Sequence, residues 1–149
     1  MNDLAWMSQA YQLACKAKAL GEVPVGALIV SATDELLGTG FNQVIQQNNP
    51  CAHAEMIALT QACASIENYR LVNTTLYVTL EPCPMCAAAL VHARIKRVVF
   101  ATRDFKTGAA GSVINLLRGQ PFNHQVIIDE GILQQECAVL LSDFFESVR

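Results

Sequence analysis

The sequence predicts an α/β layered sandwich built around a mixed sheet of five strands. Three observations predict it. Strand-like and helix-like segments alternate along the chain, the pattern of layered α/β domains. The first two strands are separated by a short polar turn and read as a hairpin, which makes the sheet mixed rather than parallel. The chain has 149 residues, 52% of them hydrophobic, enough for one full core. No linker, internal repeat or low-complexity tract divides it, so residues 1–149 are expected to form a single domain.

The elements follow in order. Residues 3–20 place Leu4, Met7, Tyr11, Ala14 and Cys15 at helical spacing, and Gly21 stops the helix. Gly26–Val30 reads as a buried strand and 35–42 as its partner, with Ser31, Thr33 and Asp34 in the turn. Residues 43–52 are polar and irregular, and a helix is expected from His53 to Ser65. Thr75–Leu80 is a strand. Pro82 and Pro84 bracket the start of a helix over 83–93, apolar on nearly every side and therefore expected to be buried, with His92 in the core or at an interface. Arg97–Ala101 is a strand, 107–112 a loop, Val113–Leu117 a short helix, Gln125–Asp129 the fifth strand, and 132–147 a terminal amphipathic helix.

Composition narrows the function classes. A 16.2 kDa domain should expose about 7,500 Å² when folded. Only 15% of residues are charged, against about 25% in an average domain, which suggests that part of the surface faces another subunit. No stretch approaches the ~18 apolar residues of a membrane span. The first residues lack the basic-then-apolar pattern of a secretory signal, so the expected location is cytoplasmic, with the six cysteines serving as thiols, metal ligands or catalysts. Net charge is −3, yet residues 94–118 hold six of the ten basic residues and one acid, Asp104, so that window carries +5 and the remainder −8. Such a window is either a solvated face or a local field able to attract a polyanion.

Two short patterns carry chemistry: His53-Ala54-Glu55 and Glu81-Pro82-Cys83-Pro84-Met85-Cys86, with 26 residues between Glu55 and Pro82. Alone, the histidine reads as a cap or packed side chain, and a C-x-x-C pair as half of a structural zinc site or a redox motif. Together they offer one imidazole and two thiols. A structural site needs four protein ligands, for which Cys51 is the remaining candidate; three ligands with an open position are the arrangement of catalytic zinc. Cys83 and Cys86, at i and i+3, share a helix face in a first turn, where thiolates are favoured. Glu55 lies two residues from His53, about 200° around an ideal helix, near the ion without having to ligate it. A carboxylate there suits proton transfer to and from water attacking an electrophilic carbon. The order H-x-E…P-C-x-x-C is that of the zinc nucleobase deaminases.

Beyond those motifs, Gly21-Glu22-Val23-Pro24-Val25-Gly26, the run Arg103 to Ser112 and the terminal Leu140-Leu141-Ser142-Asp143-Phe144-Phe145 resemble the bacterial tRNA-specific adenosine deaminases over nearly the whole chain. The resemblance implies a three-layer α/β/α sandwich of the cytidine-deaminase kind. It also implies a homodimer with one zinc per subunit, and hydrolytic deamination of the wobble adenosine of an arginine tRNA anticodon to inosine, with release of ammonia. By position, His53, Cys83 and Cys86 would hold zinc and Glu55 would shuttle protons. Asn42 would hydrogen-bond the purine edge and the Ala54 N–H a ring nitrogen. Asp104 and Lys106 would meet the sugar and phosphates of the anticodon loop, with Asn123, His124, Phe145 and Arg149 as further loop contacts. Phe105 is bulkier than the family pattern, and no basic tail follows Arg149; both bear on RNA affinity and leave the chemistry unchanged.

Three other readings compete. A free-base or nucleoside deaminase acting on guanine or cytosine would use the same zinc site. A non-catalytic zinc module presenting RNA would have no use for Glu55. A redox C-x-x-C protein would hold no zinc.

Overall fold

The computed structural model describes residues 1–149 and has an accessible surface of 7519 Å², close to that expected of a folded chain of this mass. Nine elements follow in chain order: α1 (Asp3–Ala19), β1 (Gly26–Val30), β2 (Leu36–Phe41), α2 (Ala54–Ile66), β3 (Thr75–Leu80), α3 (Pro84–His92), β4 (Arg97–Thr102), β5 (Ile127–Glu130) and α4 (Gln134–Ser147). Local chemistry explains most boundaries. The Asn2 side chain accepts from the Ala5 N–H at the start of α1, and Gly21 takes a left-handed φ of 78° just beyond its end. The Ser31 hydroxyl accepts from the Thr33 and Glu35 N–H groups and closes the β1–β2 turn.

The five strands lie in the order β2-β1-β3-β4-β5. β1 is antiparallel to both β2 and β3, whereas β3–β4 and β4–β5 are parallel, so the sheet is mixed as expected. On one face Leu28, Val30, Tyr77, Val99 and Ala101 pack with Trp6, Met7 and Ala10 of α1 and Cys137 of α4. On the other, Ala27, Ile29, Leu76, Val78, Val98 and Phe100 meet Ala54, Ala58 and Ala62 of α2 and Ala87, Leu90 and Val91 of α3. This is the three-layer α/β/α arrangement. Small residues let α2 lie close to the sheet: a Cβ on Gly40 would stand 2.8 Å from the Ala58 backbone nitrogen and nearer still to the Ala54 carbonyl, and one on Gly38 would stand 2.8 Å from the Ala62 nitrogen.

Register places three strand ends together. Gly26 pairs with Phe41, Ala27 with Val78, and Leu80 with Thr102. The chain leaving β2 at Asn42, β3 at Glu81 and β4 at Arg103 therefore emerges at one end of the sheet. No helix is long and apolar enough to cross a membrane.

Two expectations are corrected. Residues 113–117 form no helix; an isolated bridge joins Ala110 and Asn115. β-branched Val113 and Ile114 are poor helix formers, and the donors a helix would need are taken. The Val113 N–H goes to the Gly108 carbonyl, and the Leu117 and Arg118 N–H groups go to the Asn115 side chain. His92, the last residue of α3, is exposed within one chain rather than part of its core, which leaves the interface half of that expectation open. The fifth strand also begins later than expected, at Ile127.

Candidate metal centre and active site

Two helix N-termini meet at the shared end of the sheet. His53 is the N-cap of α2 and Cys83 the N-cap of α3, and neither side chain caps its own helix. Both are free to turn toward each other. The His53 Nδ1 lies 3.6 Å from the Cys83 Sγ and 3.5 Å from the Cys86 Sγ, and all three donor atoms fall within 4.8 Å of one another. Bonds of about 2.0–2.3 Å to a tetrahedral zinc place neighbouring N and S ligands about 3.5 Å apart, so the donor set fits that ion. Exposed Cys51 stays outside the group, which leaves three protein ligands, as a catalytic site requires.

Electrostatics agree with this assignment. The Cys86 thiol donates to Cys83 and, with His53 beside it, holds Cys83 down to about 4. The same hydrogen bond, burial and the nearby Glu55 push Cys86 far up. Contact with Cys83 raises His53. These shifts favour a thiolate at Cys83 and oppose a second at Cys86, and a divalent cation is the charge that would let both sulfurs ionise.

Glu55 sits in the first turn of α2, only 4% exposed. Burial raises its carboxyl to about 7, with the Cys83 charge acting in the same direction. Its side chain meets the Cys86 thiol, so it adjoins the cluster. A carboxyl that changes protonation near neutrality beside a metal site is suited to proton transfer.

The residues expected to hold substrate divide into two groups. Asn42 stands at the same end, and its Oδ1 accepts from the Ala54 N–H at 2.8 Å. The two expected purine contacts therefore engage each other, leaving the Asn42 carboxamide nitrogen as the donor able to face a ligand. The loop after Asn42 is held by a group the sequence reading passed over: buried Glu22 accepts from Ile45 N–H at 3.1 Å and Gln46 N–H at 2.8 Å. Asp104 and Lys106 are on the loop leaving β4. The Asp104 carboxylate accepts from the Lys106 N–H, the Thr107 N–H and the Thr107 hydroxyl, so it closes that turn and thereby presents exposed Lys106 and Phe105, the latter 77% exposed.

Asn123 lies elsewhere. Neighbouring His124 bonds the Ile95 carbonyl at 2.6 Å, beyond the far end of α3. Nine helical residues put that end about 13 Å from the cysteines. There Asn123 shares a cavity of about 310 Å³ with Ala88, Val91, His92, Arg94, Pro121 and Phe122. Phe145 is half-exposed on α4, its ring edge-on to Phe144 at 5.5 Å, a partner within its own helix rather than in the site. Arg149 is the exposed last residue.

The basic window is also divided. Arg97 pairs with Asp3 and Asp129, and Arg103 with Glu130. Arg94 and Lys96 precede β4 and Arg97 opens it, at the end remote from the cysteines, and Arg118 bonds the Val126 carbonyl just before β5 at that same end. Lys106 is thus the unpaired cation of the window on a loop at the same end of the sheet as the metal donors.

Comparison with known proteins extends this picture. Residues 1–102 match the family described as the cytidine and deoxycytidylate deaminase zinc-binding region. The chain is 50% identical over 147 residues to a tRNA-specific adenosine deaminase of Haemophilus influenzae, covering 99% of this chain and 85% of that one. It is 43% identical over 148 residues to the protein of that description from Bacillus subtilis, covering 99% and 91%. A solved structure from a study of A-to-I editing by tRNA:A34 deaminases at the wobble position superposes with a TM-score of 0.88 at 34% identity, over 92% of this chain and 99% of that one. A guanine deaminase from Bacillus subtilis superposes less closely, with a TM-score of 0.66 at 30% identity over 80% and 87%.

Proposed function

Since the chain belongs to the tRNA-specific adenosine deaminases, zinc-dependent hydrolytic enzymes within the cytidine and deoxycytidylate deaminase family, we propose that it converts the wobble adenosine of an arginine tRNA anticodon to inosine, releasing ammonia. Buried Glu55 beside a cluster of three metal donors lying within 4.8 Å of one another supports the hydrolytic chemistry, and the observation that carries the substrate is the 50% identity over 147 residues to a tRNA-specific adenosine deaminase.

One zinc per chain would be held by His53, Cys83 and Cys86. When bound, zinc supplies the Lewis acidity that makes water acidic and nucleophilic near neutral pH. The Glu55 carboxylate accepts a proton from the attacking water. It delivers that proton to the purine ring nitrogen, then takes the second proton from the hydroxyl now on the carbon and passes it to the departing amine, so the carbon gains a C=O oxygen and the C–N bond breaks to release ammonia. Asn42 orients the base edge through its carboxamide, with its Oδ1 anchored by Ala54. The target base has to leave its stack, at a cost of a few kcal/mol that is smallest for a nucleotide already in a loop. Lys106 and the turn built by Asp104 meet the flanking backbone. Phe145 and Arg149 are secondary loop contacts, and Asn123 has no place in the site of its own chain.

The functional unit is a cytoplasmic homodimer. Supporting this, α3 leaves apolar Met85, Ala88 and Ala89 only half-covered within one chain, and the surface is short of charge. The deciding experiment offers the metal-loaded protein a transcribed arginine tRNA anticodon stem-loop, free guanine and free cytosine. Inosine in the stem-loop alone supports the proposal. Deamination of guanine with the stem-loop untouched selects the alternative that the guanine deaminase likeness favours.

A further inference from the structure

Glu81 ends β3 and directly precedes the Pro82–Cys86 segment that carries two of the metal donors. Its carboxylate is 2% exposed and takes part in no ion pair; the nearby Arg103 is committed to Glu130. Four donors converge on it, all from residues 104–112. Oε1 accepts from the Asp104 N–H at 3.1 Å and from the Ser112 hydroxyl, and Oε2 from the Ala110 N–H at 2.9 Å and the Ser112 N–H at 3.1 Å. The Ala109 N–H adds a bond to the Pro82 carbonyl at 2.8 Å. Gly108 marks where the loop passes the carboxylate, since a Cβ there would stand 2.5 Å from Oε2. An unpaired buried carboxylate is costly unless fully hydrogen-bonded. Filling this volume needs no charge. Accepting four bonds from one loop does.

We propose that Glu81 is a positioning residue that holds the 104–112 loop in register with the Cys83–Cys86 segment, and so fixes where Lys106 meets the RNA strand flanking the target base. The proposal rests on the reading that the substrate is an anticodon stem-loop. Glu81→Gln keeps the shape but turns an NH₂ toward N–H donors, freeing the loop.

Stem-loop kinetics of the metal-loaded enzyme should show KM raised about tenfold or more, with kcat reduced less than about threefold and metal content unchanged. Lys106→Ala should cost much less KM in the Glu81→Gln background than in the wild type, because the loop no longer holds the lysine in place. If Glu81→Gln fails to fold, Ser112→Ala removes one donor and should raise KM in the same direction by a smaller factor. Unchanged KM in both variants overturns the proposal. So does loss of kcat and metal at constant KM, or strict additivity with Lys106→Ala. A wild-type enzyme that ignores the stem-loop refutes the substrate reading alone. Amide exchange at Ala110 and Ser112 then decides for Glu81: at least about tenfold faster exchange in Glu81→Gln supports the positioning role, and unchanged exchange ends it.

Discussion

Gly40→Ala tests whether the approach of α2 to the sheet sets the active-site geometry. Gly40 faces the first turn of α2, the turn that begins at His53 and contains Glu55. A methyl group there would stand 2.8 Å from the Ala58 nitrogen, 3.0 Å from the Ile57 Cβ, and closer still to the Ala54 carbonyl oxygen. Heavy atoms in contact prefer about 3.5 Å or more, and the obstructing atoms are backbone, so the start of α2 must retreat by about 1 Å. Overpacking of this kind costs about 1–3 kcal/mol. A misplacement of about 1 Å at the reacting groups can cost about a hundredfold in rate, because His53 and Glu55 move with the helix while Cys83 and Cys86 do not. Gly38→Ala is the control. Its methyl would meet Ala58 and Ala62 instead, one turn further along, so it should cost similar stability with a smaller loss of turnover. Urea unfolding measures the first quantity, stem-loop turnover of the metal-loaded enzyme the second. A Gly40→Ala enzyme with wild-type stability and turnover would refute the reasoning, and equal turnover losses in the two variants would show that α2 moves as a rigid unit.

Four further outcomes are expected. Glu55→Gln should keep its metal and fold and lose about 10²–10⁴ in turnover, read by metal analysis and single-turnover kinetics; full activity would remove Glu55 from the mechanism. Cys86→Ala should lose metal and activity together, as should chelation of the wild type, with zinc restoring only the latter. Lys106→Glu should weaken stem-loop binding and lower the slope of log affinity against log salt by about one or more, measured by titration at several salt concentrations. Stability should carry an acid-sensitive contribution from Asp3, which the Arg97 guanidinium holds down to about 2 from 3.8. A depressed carboxyl stabilises the fold above its unfolded value and loses that contribution as pH falls toward the folded one, here between about 5 and 2. The shift corresponds to about 2.5 kcal/mol, reduced to about 1 kcal/mol because the Asp3 side chain is 34% exposed. Urea midpoints for Asp3→Asn should accordingly fall off less steeply than the wild type across that window.

What the sequence determined by itself is the set of features whose causes are local. Helix starts and stops follow from Asn2, Gly21 and Pro84, the alternation of elements gives the layered fold, and the metal donors are legible because imidazole and thiol side chains stand at two helix starts with a carboxylate two residues beyond the imidazole. The tertiary structure decided everything that depends on partners distant in the chain. Glu22 and Glu81 look like ordinary surface acids until loops 23 to 31 residues away deliver their N–H groups. Gly38 and Gly40 look like weak points in a strand until α2 lies on them. The basic window separates because β4 carries its two halves to opposite ends of the sheet, whereas the helix expected over 113–117 is lost to local bonds, from Val113 to Gly108 and from Leu117 and Arg118 to the Asn115 side chain. Periodicity and capping act within a turn or two, whereas burial, ion pairing and register arise only when the chain closes on itself.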